Sequence, residues 1–288
     1  MAKILRCITQ DATVMAMAMD STDIVSEAER IHQTSAVVTA ALGRTMTATS
    51  MMGIMLKGTK ESVTVRFEGD GPAGLVLAVS DGTGNVRGYV SNPVVEIPLR
   101  PDGKLDVGSA IGKTGQLTVI RDLGEKEPYS GCVPLVSGEV AEDITSYYAY
   151  SEQIPTVCAL GVLVNPDLSV KAAGGLFLQL LPYCPEDVID KIEENIKKLP
   201  PISELLAGGA SPEDIVKQAL DGFAFDVVDT YEPSYTCKCS RERVEKTLLA
   251  LPLEERESLP NEEGVVEVCC NFCDKKYVFT KEDLKNLK

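Results

Sequence analysis

The sequence predicts a mixed α/β (α+β) core domain over residues 1–182, a helical linker over 183–234 and a small cysteine-bearing α+β domain over 235–288. Three observations predict this division. Apolar residues recur with strand-like and helix-like periods up to about residue 181. An acidic stretch with helix start and stop signals follows. Two tight cysteine pairs then lie in the last 52 residues.

A chain of 288 residues that is 44% hydrophobic and 25% charged has ordinary globular composition, which excludes a disordered or collagen-like chain. Its 43 acidic residues outnumber 28 basic ones, for a net charge of −15. Such a surface repels phosphate backbones, so nucleic acid is not an expected partner. His32 is the sole histidine, which removes every scheme that needs two imidazoles. The N-terminus shows no signal-peptide pattern. Ser35 to Leu56 is long enough to span a membrane, but Arg44 and its many hydroxyls fit a buried helix better. The expectation is a cytoplasmic protein with no membrane partner, where clustered cysteines hold metal or do redox chemistry.

Element by element, Thr13 to Met19 alternates Met and Ala, a strand with one bulky face. Asp20-Ser21-Thr22-Asp23 offers helix caps, and helical spacing runs through Ile24, Ala28 and Ile31, then from Ser35 to about Leu56. Short strands broken by glycine turns follow at 62–67, 74–79, 88–90 and 116–121. A helix is predicted over 144–153 and paired strands over 155–164 and 170–181. Pro185 opens the next helix, with Glu186 and Asp187 in its first turn and Pro200-Pro201 at its end. A short helix stops at Gly208-Gly209, and Ser211-Pro212-Glu213-Asp214 resembles a capping box with Asp in place of Glu or Gln. With nine acidic residues against four lysines, 185–222 reads as a connector and not as core. Phe223 to Tyr235 is β-like.

The cysteines carry the chemistry. Cys237-Lys238-Cys239 and Cys270-Asn271-Phe272-Cys273 stand 30 residues apart. Four thiolates from two close pairs saturate a tetrahedral zinc ion, so Cys237, Cys239, Cys270 and Cys273 are the expected ligands of one zinc per chain. Val266 and Val268 lead into the second pair and Tyr277 and Phe279 lead out, a hairpin with the metal at its tip. Between the pairs, Ser240 can cap a helix carrying Val244, Leu248 and Leu249. A unit of about 50 residues needs such a staple. The first pair is C-x-C where common zinc ribbons have C-x-x-C. Should the ion leave, each pair can close on itself, and a strained Cys237–Cys239 ring would be of the labile, regulatory kind. By spacing alone, a redox switch and a permanently structural metal both stand.

Cys237-Lys238-Cys239-Ser240-Arg241-Glu242-Arg243 with Cys270-x-x-Cys273 resembles the C-terminal signature of the 33 kDa heat-shock protein family of redox-regulated chaperones. Phe67 to Pro72, Arg87-Gly88-Tyr89, Tyr129-Ser130-Gly131, Ser151 to Thr156 and Ala173 to Gln179 resemble its core-domain motifs. The resemblance implies a non-enzymatic, ATP-independent holdase that is inactive while reduced and zinc-bound. It implies that oxidation under stress pairs Cys237 with Cys239 and Cys270 with Cys273, releases zinc and unfolds the C-terminal region. It implies unfolding client proteins as partners and a homodimer in the active form.

Other features have plainer readings. Cys269 matches no family pattern and reads as a small strand residue; Cys7, Cys132, Cys158 and Cys184 read as buried thiols. All eight methionines lie in the first 55 residues and read as core packing, against the alternative of a covered client surface. Gly112-Lys113-Thr114 lacks the glycine a phosphate loop needs at 107.

Overall fold

The structure, a computed structural model, describes residues 1–287, and it divides at Tyr235/Thr236 into two compact units. The first unit begins with β1 (Lys3–Thr9), β2 (Val14–Asp20), α1 (Thr22–His32) and α2 (Ala36–Gly53). It continues with β3 (Ser62–Gly69), β4 (Leu75–Asp81), β5 (Val86–Val90), α3 (Val107–Ile111), β6 (Gly115–Asp122) and β7 (Tyr129–Pro134). Then come α4 (Val140–Tyr147), a π-helical turn (Tyr148–Glu152), β8 (Thr156–Val164) and β9 (Val170–Leu180). The unit closes with α5 (Glu186–Lys198), α6 (Ile202–Ala207), α7 (Pro212–Ala219) and β10 (Phe225–Tyr231). One sheet has strand order β10-β1-β2-β9-β8 and the other β5-β4-β3-β6-β7, every neighbouring pair antiparallel. This is the α+β form of the predicted class.

Helix α2 is the centre of the first unit. It touches β3, β4 and β5 of one sheet and β8 and β9 of the other. It is therefore buried nearly all round, as its apolar and hydroxyl composition requires. Thr45, Thr47 and Thr49 donate to the carbonyls of Ala41, Gly43 and Thr45, so the buried hydroxyls are satisfied within the helix. Arg44, its one charge, pairs with Glu139. No helix of the described residues is long and apolar enough to cross a membrane. Met17, Met19, Met46, Met51 and Met52 lie in the same core, which fits the packing reading of the methionines.

The Met/Ala alternation of β2 has a structural purpose on both faces. Met17 and Met19 fill the main core, whereas Val14, Ala16 and Ala18 face a second apolar cluster. The segment expected to be a connector, and not core, supplies the other side of that cluster. Ile192, Ile202, Ile215, Val216, Ala219 and Leu220 pack there with Leu5, Leu176 and Leu178. Its approach is close because Gly161 and Gly174, register partners on β8 and β9, leave room for α6. A Cβ on Gly174 would sit 2.3 Å from Leu206 Cδ1, and one on Gly161 would sit 2.7 Å from the Ser203 amide nitrogen. The acidic excess misleads here because it occupies only the outer faces. The Ser211/Asp214 capping box forms in full: Ser211 Oγ accepts from the Asp214 amide at 3.2 Å, and Asp214 Oδ2 accepts from the Ser211 amide at 2.9 Å.

Two further sequence readings are answered. The Gly112–Thr114 loop holds a side chain and not a phosphate: Asp70 Oδ1 accepts from the amides of Lys113 and Thr114 at 3.0 and 3.1 Å. Cys132 is exposed and not buried, because it lies on the outward face of the edge strand β7.

The second unit contains α8 (Arg241–Leu249), α9 (Leu253–Ser258), β11 (Val265–Cys269), β12 (Lys276–Thr280) and α10 (Lys281–Asn286). β11 and β12 form an antiparallel hairpin. Its buried core is Leu248, Val266, Tyr277, Phe279 and Leu284.

If α5–α7 are a packed layer, Ile215→Ala, at a fully buried position, will cost the first unit about 2–5 kcal/mol. The check is a lowered urea midpoint together with faster amide exchange in α6 and α7.

Candidate metal centre

Each pair of cysteines is placed by a local device. Cys237 and Cys239 precede α8, whose first turn is capped by Ser240 Oγ accepting from the Arg243 amide at 3.3 Å. Arg243 Nη1 reaches back to the Lys238 carbonyl at 3.0 Å and so holds the C-x-C loop against the helix. Cys270 and Cys273 sit in the turn joining β11 to β12. The Cys270 carbonyl accepts from the amides of Cys273 and Asp274 at 3.2 and 2.9 Å, and the Cys270 amide donates to the Lys275 carbonyl at 3.0 Å. Asp274 completes the turn in the left-handed region, with φ of 54°.

Arg241 joins the two halves. Its guanidinium stacks 4.2 Å from the Phe279 ring centroid, donates to the Val278 carbonyl at 2.9 Å, and pairs with Glu245 and Asp283 at 3.2 and 3.4 Å. The Cys-Lys-Cys-Ser-Arg-Glu-Arg run is therefore a thiol pair, a cap and two clamps in seven residues.

The four sulphurs converge. All lie within 4.8 Å of one another, with Cys237 and Cys270 at 3.6 Å and Cys239 and Cys273 at 3.4 Å. None is bonded to another. A tetrahedral ion with metal–thiolate bonds of about 2.3 Å sets its sulphurs about 3.8 Å apart, so the donor set has the size and softness to hold a metal ion. Cys269, one residue away, points out of the cluster: it is exposed on β11 opposite Lys276.

The surroundings treat the thiols unequally. Burial pushes Cys239 up, but hydrogen bonds from the Tyr277 hydroxyl at 3.1 Å and from the other thiols outweigh it and leave the group at about 7. Burial raises Cys237, and burial raises Cys273 more strongly. The hydrogen bond to Cys239, ahead of burial, lifts Tyr277 to about 12. Elsewhere, burial and then Glu213 lift the Cys7 thiol to about 11, the inert behaviour of a structural cysteine. The role of Tyr277 was not legible beyond its place on the hairpin. Its spacing of two from Phe279 puts it on the inner face, but only the fold brings its hydroxyl to Cys239. His32 is satisfied in the first unit, with Nε2 3.1 Å from the Gly88 carbonyl and 3.4 Å from the Tyr235 hydroxyl.

The family model described as Hsp33 protein matches residues 2–280. The 33 kDa chaperonin of Clostridioides difficile is 47% identical over 281 residues, covering 98% of this chain and 96% of that protein. The 33 kDa chaperonin of Acetivibrio thermocellus is 48% identical over 284 residues, covering 99% and 96%. The crystal structure of the 33 kDa chaperonin (heat shock protein 33 homolog) of Thermotoga maritima superimposes with a TM-score of 0.92 at 40% identity, covering 99% of this chain and 97% of that one. The sequence motifs and the fold thus lead to one conclusion: the chain belongs to the Hsp33 family, a family of chaperones and not of enzymes.

Proposed function

We propose that the chain is a redox-regulated, ATP-independent holdase of the cytoplasm, inactive while reduced and activated by oxidative stress. The observation that carries this reading is the convergence of four thiols, from a C-x-C and a C-x-x-C, in a unit whose buried core is five residues. Zinc held by Cys237, Cys239, Cys270 and Cys273 would supply the charge that four thiolates need and most of the folding free energy of the second unit.

Oxidation removes that support. Each disulfide forms as two thiolates give up two electrons. One hydrogen peroxide accepts them with two protons and leaves as two waters. In the family pairing, Cys237 joins Cys239 and Cys270 joins Cys273. All four sulphurs lie within 4.8 Å of one another, and once each pair has closed on itself no thiolate is left to hold the ion that joins the two halves of the unit. Oxidation and unfolding are then one event.

The parts of this mechanism are the core domain 1–182, the linker 183–234 and the switch domain 235–288. β10 leads through Ser234 and Tyr235, which bond to Asn85 and Gly88 of the core, into the segment that carries Cys237, so loss of the switch domain leaves that end of the linker held by the core alone. The linker's helices are short, α6 having six residues and α7 eight, and they depend on packing. Release uncovers the apolar face of β1, β2 and β9, including Leu5, Val14 and Leu178, as a surface for unfolding client proteins. A homodimer of the oxidised form would double that surface.

Two measurements test the proposal. Removing the metal from the reduced chain will abolish amide protection across 236–287 while the α2 core keeps its own, since structural zinc contributes on the order of 10–16 kcal/mol. Retained protection in the metal-free unit would sink the zinc reading. Light scattering of a heat-unfolding client will be suppressed by the peroxide-treated, desalted chain and not by the reduced zinc form. Equal suppression by both forms would make the metal structural and the chaperone constitutive.

A further inference from the structure

Resting on the zinc reading above, we propose that Tyr277 is a positioning residue of the redox switch: its hydroxyl, hydrogen-bonded to Cys239 Sγ, restrains that sulphur and slows its oxidation and release of zinc. The tyrosine is well placed to do this. Its ring is part of the second unit's core, 6% exposed, beside the fully buried Phe279. The Lys275 ammonium lies over the other part of the ring, 5.4 Å from its centroid. The side chain is therefore held at its root, and the hydroxyl reaches Cys239 at 3.1 Å across 38 residues of sequence.

The chemistry gives this contact a direction. A hydroxyl donor draws charge from a metal-bound thiolate, which lowers its nucleophilicity toward peroxide. The same bond ties the C-x-C sulphur to the hairpin that carries Cys270 and Cys273, so both ligand pairs are joined by something besides the metal. A phenylalanine keeps the ring and its packing and deletes only the donor. Hydrogen bonds to charged groups are among the stronger ones in proteins, and a partly exposed example warrants an effect of about three- to tenfold on rate.

The test uses the full reduced chain loaded with zinc, as wild type, Tyr277→Phe and Val266→Ala. Zinc per chain is measured first: a wild type that binds none overturns the metal reading and with it the ground of this inference, before any rate is compared. Zinc release under hydrogen peroxide is then followed with a colorimetric chelator. The expectation is one zinc in each protein, release about three- to tenfold faster in Tyr277→Phe, and near wild-type release in Val266→Ala, which loosens the same core but keeps the hydroxyl and the Arg241 clamp. With cobalt(II) in place of zinc, Tyr277→Phe will move the thiolate-to-metal charge-transfer band to lower energy, a change that loss of packing alone does not produce. Wild-type release and an unshifted band in Tyr277→Phe, or equal acceleration in Val266→Ala, would overturn the proposal. If Tyr277→Phe fails to hold metal, the wild type made with 3-fluorotyrosine, a stronger donor, decides: zinc release slower than with tyrosine is expected, and equal or faster release overturns the proposal.

Discussion

Four thiols stand within 4.8 Å of one another, and ionising all of them sets like charges side by side. At an effective dielectric of about 20, each pair of unit charges about 4 Å apart costs about 4 kcal/mol. Against this the second unit has a buried core of five side chains. A bound cation reverses the sign of that electrostatic balance, and the clamps of Arg241 and Arg243 then become useful. In the proposed mechanism the fold of this unit is conditional on the protonation, oxidation and metallation of the same four atoms.

The first unit is organised by a different constraint, the burial of α2 between two antiparallel sheets. That arrangement leaves one sheet with an outer apolar face, and the acidic helices α5–α7 cover it. The cover is stable only as a packed layer. Its helices are short, its outer faces are charged, and α6 fits because glycines stand beneath it at 161 and 174. A folded core, a marginal cover and a small unit with a cysteine cluster that could hold a metal ion are the physical ingredients on which the proposed switch rests.

Much of this was legible from local signals. The Met/Ala run, the glycine-broken strands, the Ser211 and Ser240 caps and the hairpin around Cys270 and Cys273 each depend on residues a few positions apart. β1 and β7 were harder to see. Lys3–Thr9 packs into cores on both faces, so its pattern lacks clean alternation, and Tyr129–Pro134 is a polar edge strand. The acidity of 185–222 was read as a solvated connector because composition does not reveal which face of a helix is covered.

The sequence by itself determined the acidic composition, most of the helices and strands and the two cysteine pairs, because caps, periods and ligand spacings act within a single turn or hairpin. Only the tertiary structure decided that α5–α7 form part of a core, that Asp70 fills the Gly112 loop, that Cys132 faces solvent and that the Tyr277 hydroxyl meets Cys239. Each of these is a contact between residues distant in sequence. Such contacts follow from how layers stack and which faces they hide, and no local pattern encodes that.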